Sequence, residues 1–346
     1  MIEQDYSVNI NDFEVKEQIN HGAYGVVYRV EHKTGGIFAA KVNSYVDEQR
    51  QQMIKNEIKI LKSCAHPTLV QFRGYSNKDF YENEKYTMIF DYYKNGSLAC
   101  ILNKVRKGQC PIKFTNTIKQ IILIGIARGI LYLHSHHVVH RDLKPDNVLM
   151  DDNFHPHITD FGLSQSFQSY EPALSNSFDK GSPVYMAPEL FDGAIVTSKV
   201  DVYAFGILMY EVLTEKEPYP NIQSSLYLMN QVVGGLRPEF PDTTKDSLQK
   251  LAKECWNQDP DSRPTFDDIF SSLAYGKDPV LGDVEDKGKY YLDDVDMDVI
   301  DEYLKQIQSD KSDADDVIQQ LAIKIAQTNE KNRRKEKGKG RKNRKT

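Results

Sequence analysis

The sequence predicts an α+β fold in two parts, a smaller β-rich part first and a larger helical part after it. Three observations predict it. The first third alternates apolar and polar residues over short runs, the period of a strand with one covered face. After Asn95-Gly96-Ser97 the apolar residues take helical spacing in longer runs. Glycine, proline and small polar residues punctuate the boundaries between runs.

Residues 13–19, Phe-Glu-Val-Lys-Glu-Gln-Ile, alternate with period two and read as a half-buried strand. A turn leads to a second strand at 26–30, and Thr34-Gly35-Gly36 marks a hairpin into a third at 37–42. Met53, Ile54, Glu57, Ile58 and Leu61 fall on one helical face within 51–64. His66-Pro67 ends that helix, because proline disfavours helical geometry in the residue before it. Strand-like runs return at 69–72 and 86–90, and 91–95 reads as a short linker. Residues 114–134 carry Ile118, Ile121, Ile122, Gly125, Ile126 and Leu133 and read as a buried helix. Further helices are expected at 200–213, 248–256 and 266–273. Asp151-Asp152 reads as a polar turn between two short strands rather than a paired-carboxylate site.

A chain of 346 residues, 40% hydrophobic and 27% charged, fits one large globular domain or two ordinary ones. No run of about 18 apolar residues occurs, so no membrane partner is expected. The acidic start Met1-Ile2-Glu3-Gln4-Asp5 lacks the basic stretch and apolar core of a secretory signal, and Ile2 breaks the myristoylation pattern. Cys64, Cys100, Cys110 and Cys255 form no CxxC pair, so reduced thiols are expected.

The chemistry concentrates in His140-Arg141-Asp142-Leu143-Lys144-Pro145-Asp146-Asn147 and in Asp160-Phe161-Gly162. Asp142 can accept the proton of an attacking hydroxyl. Asn147 and Asp160 are hard oxygen donors suited to Mg²⁺, and Lys144 is a cation that can sit beside a transferring phosphate. Gly22 and Gly25 let backbone N–H groups approach phosphates without a side chain in the way. Lys41 lies in an apolar strand, where an ammonium is costly unless paired, and Glu57 on the next helix is the natural partner.

These motifs, with Asn20-His21-Gly22-Ala23-Tyr24-Gly25-Val26-Val27 before them and Ala187-Pro188-Glu189 after, stand in the order found in eukaryotic protein kinases, which residues 13–272 resemble. The resemblance implies the two-lobed protein kinase fold. Its domains would be an N-terminal extension (1–12), a kinase domain (13–275, with an N-lobe of about 13–91 and a C-lobe of about 96–275), an acidic, partly helical tail (276–330) and a basic disordered tail (331–346). It implies ATP and Mg²⁺ as cofactors and serine or threonine hydroxyls of protein substrates as acceptors. Asp142, Lys144 and Asn147 would be catalytic, with Asn147 and Asp160 on the metal. Ile19, Asn20, Gly22, Gly25, Val27, Ala39, Lys41, Glu57, Asp91, Tyr93, Leu149 and Asp160 would hold the nucleotide. Among these, Asp91 and Tyr93 would bind adenine through backbone atoms, while Val27, Ala39 and Leu149 would sandwich its ring and serve the core as well. Phe90 would be a bulky gatekeeper restricting the back pocket. His140, Phe161, Leu61 and Asp201 would form the internal stack aligning the lobes. Asn20 departs from the family's first glycine; asparagine tolerates unusual backbone angles, and the departure bears on nucleotide affinity or loop mobility.

Lys144, and Ser182 after Gly181, resemble serine/threonine kinases, with dual specificity left open. The run Cys255-Trp256-Asn257-Gln258-Asp259-Pro260-Asp261-Ser262-Arg263-Pro264-Thr265-Phe266 looks like tyrosine kinases and the tyrosine-kinase-like serine/threonine group. The combination points to the tyrosine-kinase-like group. By resemblance, Arg141 pairs with a phosphate on the segment 163–180, which carries Ser164, Ser166, Ser169, Tyr170, Ser175 and Ser177. An upstream activating kinase acting at Ser175 or Ser177 is the expectation.

Beyond the resemblance, 283–302 is acidic. Val299, Ile300, Tyr303, Leu304 and Ile307, then Val317, Ile318, Leu321 and Ile325, recur at helical spacing. The basic run 331–346 offers a nuclear signal, a contact for acidic partners or a weak nucleic-acid patch, without aromatics for base stacking. A cytoplasmic location is expected, with the nucleus open through that run; the oligomeric state is not fixed. The competing reading is a pseudokinase or scaffold acting through the tail. Asn20 favours it, while Lys41, Glu57, Asp142, Asn147 and Asp160 argue against it.

Overall fold

The computed structural model describes residues 6–22, 25–44, 48–166, 183–191, 196–277 and 290–308. Two compact units are distinguished, residues 1–301 and 302–346, and the described part of the second is the last turns of one helix. The glycine-loop residues Ala23 and Tyr24, the serines and tyrosine at 169–177, the Gly181-Ser182 pair, the second helical pattern at 317–325 and the basic run lie outside the described residues.

The expected strands form one antiparallel sheet. Strands β1 (Phe13–Gly22), β2 (Gly25–His32), β3 (Ile37–Asn43), β4 (Phe72–Ser76) and β5 (Thr87–Asp91) lie in the order β1-β2-β3-β5-β4. Helix α1 (Glu48–Ser63) lies in sequence between β3 and β4. Because strand side chains alternate, the register sorts them into two sets. Tyr28 stands opposite Ala40, Val30 opposite Phe38 and Ala40 opposite Ile89. This set packs with Ile10 into the sheet's own core, with Val8, Phe13 and Phe80 at its margin. The other set holds Val27 opposite Lys41 and Ala39 in register with Phe90. Residues before β1 also join the sheet: Val8 N–H donates to the Tyr75 carbonyl at 3.0 Å, and Tyr75 N–H to Tyr6 at 2.8 Å.

Two strand expectations need correction. β1 forms but is exposed along its length except at Phe13, so it is not half-buried. As the edge strand it has a neighbour on one side only, and Val15 and Ile19 remain 39% and 41% exposed. The strand expected at 69–72 begins only at Phe72. Leu69 and Val70 are apolar because they are buried against the helical part, where Val70 N–H donates to Ile158 at 2.9 Å and Ile158 N–H to Thr68 at 2.8 Å.

The helical part follows the hinge. It contains α2 (Leu98–Arg106), α3 (Asn116–Ser135), the short strands β6 (Val138–Val139), β7 (Val148–Met150), β8 (Pro156–Ile158) and β9 (Gln165–Ser166), then α4 (Lys199–Thr214), α5 (Ser225–Val233), α6 (Asp246–Cys255), α7 (Phe266–Tyr275) and α8 (Met297–Gln308). Side-chain caps set several starts: Ser97, Thr115 and Ser224 accept from backbone N–H groups three residues on. Thr265 and Asp268 form a capping box at α7. Although α3 is long and apolar enough to cross a membrane, 72% of its apolar window is buried inside this fold, which accounts for its composition. The β7–β8 turn is built as expected: Asp151 accepts from the backbone N–H groups of Asn153 and His155.

One buried ion pair ties the segment ending Ala187-Pro188-Glu189 to the helical core. The Arg263 side chain is fully buried and forks onto Glu189 at 2.7 and 2.8 Å, with further bonds to the Asn257 and Lys199 carbonyls. Removing one partner of such a pair strands the other charge in low dielectric. Arg263→Ala is therefore expected to destabilise the protein by roughly 3–5 kcal/mol, read as a lowered urea midpoint at unchanged slope. Arg263→Lys, which keeps the charge but loses the fork, is expected to recover only part of that loss.

Candidate active site

The two halves of the site meet where β3, α1 and the segment after β8 converge. Lys41 Nζ donates to Glu57 Oε1 at 2.7 Å and to Asp160 Oδ1 at 3.1 Å. Glu57 is 4% exposed on α1. Burial works against the Lys41 charge, but the Asp160 and Glu57 carboxylates outweigh it and hold its pKa above the ordinary lysine value. Burial pushes the Glu57 carboxyl up, against the pull of Lys41. For Asp160 the balance reverses: burial would raise it, yet the nearby ammonium holds it below the usual carboxylate range. Asp160 itself sits in the left-handed region at φ 65°, ψ 74°, a conformation costly for a side chain with a Cβ and held here by its surroundings.

A second cluster lies on the loop after β6. Lys144 Nζ donates to Asp142 Oδ2 at 2.8 Å. Asn147 Nδ2 donates to the Asp142 carbonyl at 2.7 Å and to Asp142 Oδ2 at 2.8 Å. This spends the amide nitrogen of Asn147 inside the protein and turns its oxygen to other use, the orientation a metal ligand needs. Burial pushes the Asp142 carboxyl up, with Lys144 pulling the other way. Thr159, just before Asp160, donates its N–H to the Asn147 carbonyl at 3.0 Å, so the two oxygen donors are linked through adjacent backbone. The donor set of Asn147 oxygen and ionised Asp160 thus fits a hard divalent cation that keeps substrate and water oxygens for its remaining positions.

Buried Asp201 on α4 holds the loop carrying this cluster. Its carboxylate accepts from the backbone N–H groups of His140 and Arg141, both at 2.8 Å, and lies 2.8 Å from His134 Nε2. The His140 ring contacts the Phe161 ring edge-on at 5.5 Å, and His140 and Asp201 are joined by the His140 N–H, which places three of the four residues expected in the internal stack together.

At the hinge, Arg73 forks onto Asp91 at 2.6 and 2.7 Å, and the Tyr93 hydroxyl accepts from the Gln71 N–H at 3.2 Å. Both side chains are engaged within the protein, so any adenine contact of Asp91 and Tyr93 rests on main-chain atoms. Phe90 is buried and its ring packs on that of Phe72, centroids 5.7 Å apart. Val27, Ala39 and Leu149 are half-buried. In the glycine loop, a Cβ at Gly25 would lie 2.2 Å from the Val42 carbonyl oxygen, while one at Gly22 meets nothing within 4 Å. Gly25 is thus required by the protein's own backbone. Gly22 leaves open the space a phosphate would fill. Ile19 and Asn20 lie exposed on the same strand.

Sequence reasoning missed three features here. The Arg73–Asp91 fork and the Arg263–Glu189 pair join residues far apart in the chain. In the third, Glu211, buried on α4, takes hydrogen bonds from Arg106 and from the Tyr185 hydroxyl. Its one signal is a glutamate inside the otherwise apolar run 202–213. Of the candidate phosphorylation sites, Ser164 is half-buried and donates to the His140 carbonyl at 3.2 Å, so it serves the loop structurally.

The comparisons agree with this geometry. The chain is 33% identical over 271 residues to a probable serine/threonine-protein kinase of Dictyostelium discoideum, covering 77% of this chain and 20% of that protein. It is 34% identical over 270 residues to a putative serine/threonine-protein kinase/receptor of Acanthamoeba polyphaga mimivirus, covering 77% of this chain and 15% of the relative. Phytosulfokine receptor 1 of Arabidopsis thaliana is 35% identical over 211 residues, 60% of this chain and 20% of the receptor. The chain thus spans about a fifth of the length of these curated relatives. The protein-family profile for the protein kinase domain matches residues 13–273. That match begins at β1 and ends inside α7, so it contains every residue of both clusters, and the chain belongs to the protein kinase family.

Proposed function

We propose that this chain is an ATP-dependent serine/threonine protein kinase of the tyrosine-kinase-like group. The observation that carries the reading is the joined geometry of Lys41, Glu57 and Asp160 with Asp142, Lys144 and Asn147. Lys41, fixed by Glu57, holds nucleotide phosphates. Asn147 and Asp160 would hold Mg²⁺, which would supply charge neutralisation at the phosphates. Asp142 accepts the proton of the substrate hydroxyl, and Lys144 sits beside the group in transfer. Val27, Ala39 and Leu149 line the adenine, with main-chain atoms of Asp91 and Tyr93 at its edge. The acceptors are protein serine and threonine side chains, and an upstream kinase acting at Ser175 or Ser177 would regulate the activity through Arg141. The protein acts in the cytoplasm, with nuclear entry through the basic run as the second possibility for its location.

Two experiments test the reading. With MgATP and a generic protein substrate, Asp142→Asn should lower phosphate transfer by about 10²–10⁴-fold, and phosphate from the wild type should appear on serine or threonine. Transfer at the wild-type rate in the variant would remove Asp142 from the role of base. The pH profile has a determined sign. Only the ionised Asp142 accepts a proton and its pKa is raised, so kcat/KM falls as pH drops through that raised value. Lys144→Met removes a group that lowers this pKa, and should move the acid limb to higher pH.

The glycine loop separates binding from folding. Gly22→Ala should leave the unfolding free energy within about 1 kcal/mol of wild type and raise KM for ATP. Gly25→Ala should lower the thermal midpoint as well, because of the Val42 carbonyl. Equal ATP affinity in Gly22→Ala and wild type would argue against phosphates over Gly22.

A further inference from the structure

The buried helix α3 carries one fully buried carboxamide, Gln120, with no expected task. The helix is rich in isoleucine and leucine. A buried amide needs partners for its oxygen and its two N–H groups. Gln120 finds them on main chain. Its Nε2 donates to the Leu273 carbonyl of α7 at 3.1 Å and points to the Tyr290 carbonyl at 3.5 Å. Its Oε1 accepts from the Leu292 N–H at 3.1 Å. Tyr290 and Leu292 belong to the segment 290–296, beyond the region that the family profile matches.

The same segment is held at four more points. Asn116 Nδ2 donates to the Asp293 carbonyl at 2.8 Å, and the Asp296 N–H donates to Thr117 Oγ1 at 2.9 Å. Lys245 Nζ donates to the Tyr291 carbonyl at 2.8 Å and lies 3.4 Å from Asp293 Oδ1. The Tyr291 hydroxyl donates to the Ala274 carbonyl at the end of α7. Tyr290 and Tyr291 are 4% and 2% exposed, so the segment adds two aromatic side chains to the core as well as main-chain bonds. Such main-chain recognition fixes register, while the aromatic pair and the following aspartate fix sequence.

We propose that the first turns of α3, the end of α7 and Lys245 form a docking groove for a Tyr-Tyr-Leu-Asp peptide, occupied in cis by residues 290–296 of this chain. Gln120 is its central recognition residue. The globular domain therefore ends beyond α7, and residues 290–296 are part of it.

Hydrogen exchange of the full-length chain, followed by mass spectrometry, tests this. In wild type the amides of Leu292 and Asp296 should be protected. Asn116→Ala, which alters a half-buried group at the groove's rim, should speed exchange over 290–296 by roughly fivefold to tenfold while β3 and β5 keep their protection. Gln120→Ala should speed it further. Unprotected amides at 290–296 in wild type, or protection unchanged in both variants, would overturn the groove. Protection that grows with protein concentration alongside a dimer in sedimentation would assign the occupant to a second copy and overturn docking in cis. A Gln120→Ala chain that fails to fold leaves Asn116→Ala to decide.

Discussion

One buried carboxylate organises the loop that carries Asp142, Lys144 and Asn147. Asp201 lies on α4, 1% exposed, and satisfies two consecutive backbone N–H groups, those of His140 and Arg141, while holding the His134 side chain of α3. Burial alone would favour its neutral form. The hydrogen bond from His134, the charge around it and the two N–H groups reverse that, so its pKa lies below the ordinary value. Because both oxygens are spent on adjacent amides, the loop that follows has little freedom of direction. Arg141 takes φ 70°, a left-handed conformation that would not persist without such a hold. Asp142, Lys144 and Asn147 then follow within a fixed turn.

Much of this was legible in the sequence because the loop is local. Asp142, Lys144 and Asn147 lie within six residues, and their mutual bonds are those that short spacing allows. Lys41 and Glu57 were also readable, as a buried cation and the nearest anion on the next amphipathic run. The third member of that group was harder to connect. Asp160 comes from 119 residues away, and spacing carries no information about such a meeting. Helices α2 and α5 were missed because each is nine residues long, below the length at which periodicity is distinctive, and each starts from a serine cap in a polar stretch. The exposure of β1 was misread for another reason. Alternation reports which side chains could be covered, and an edge strand has fewer neighbours to cover them.

Charges outside the site divide the same way. Arg106 and Glu211 drew no reading from the sequence, and Arg263 and Glu189 drew one only as members of motifs. In the fold they form two buried pairs that join α2 to α4 and the Ala187-Pro188-Glu189 segment to the end of the domain. Pairs of this kind add modestly to net stability but cost heavily when half is removed. The Arg263–Glu189 pair fixes the segment's position against the helical part. Gln120 belongs with them as a neutral case, a polar group in an apolar helix whose purpose is visible only once residues 290–296 are seen against it.

The proposed chemistry rests on two aspartates driven in opposite directions by their surroundings. Both are buried enough for desolvation to be the largest influence on each. At Asp142 that influence wins, because Lys144 and Asn147 compensate it only partly, and the carboxyl is left more ready to take a proton. At Asp160 the Lys41 ammonium, held in place by Glu57, outweighs it and keeps the carboxylate ionised. A group meant to accept a proton and a group meant to hold a cation need just this separation. The difference originates in which lysine each aspartate meets and how completely that lysine's charge is directed at it. Lys41 has two carboxylates to satisfy and is mostly buried, so its position is set by the pair together. Moving Glu57 would therefore change the proton affinity of Asp160, and α1 acts on Asp160 through one ammonium group.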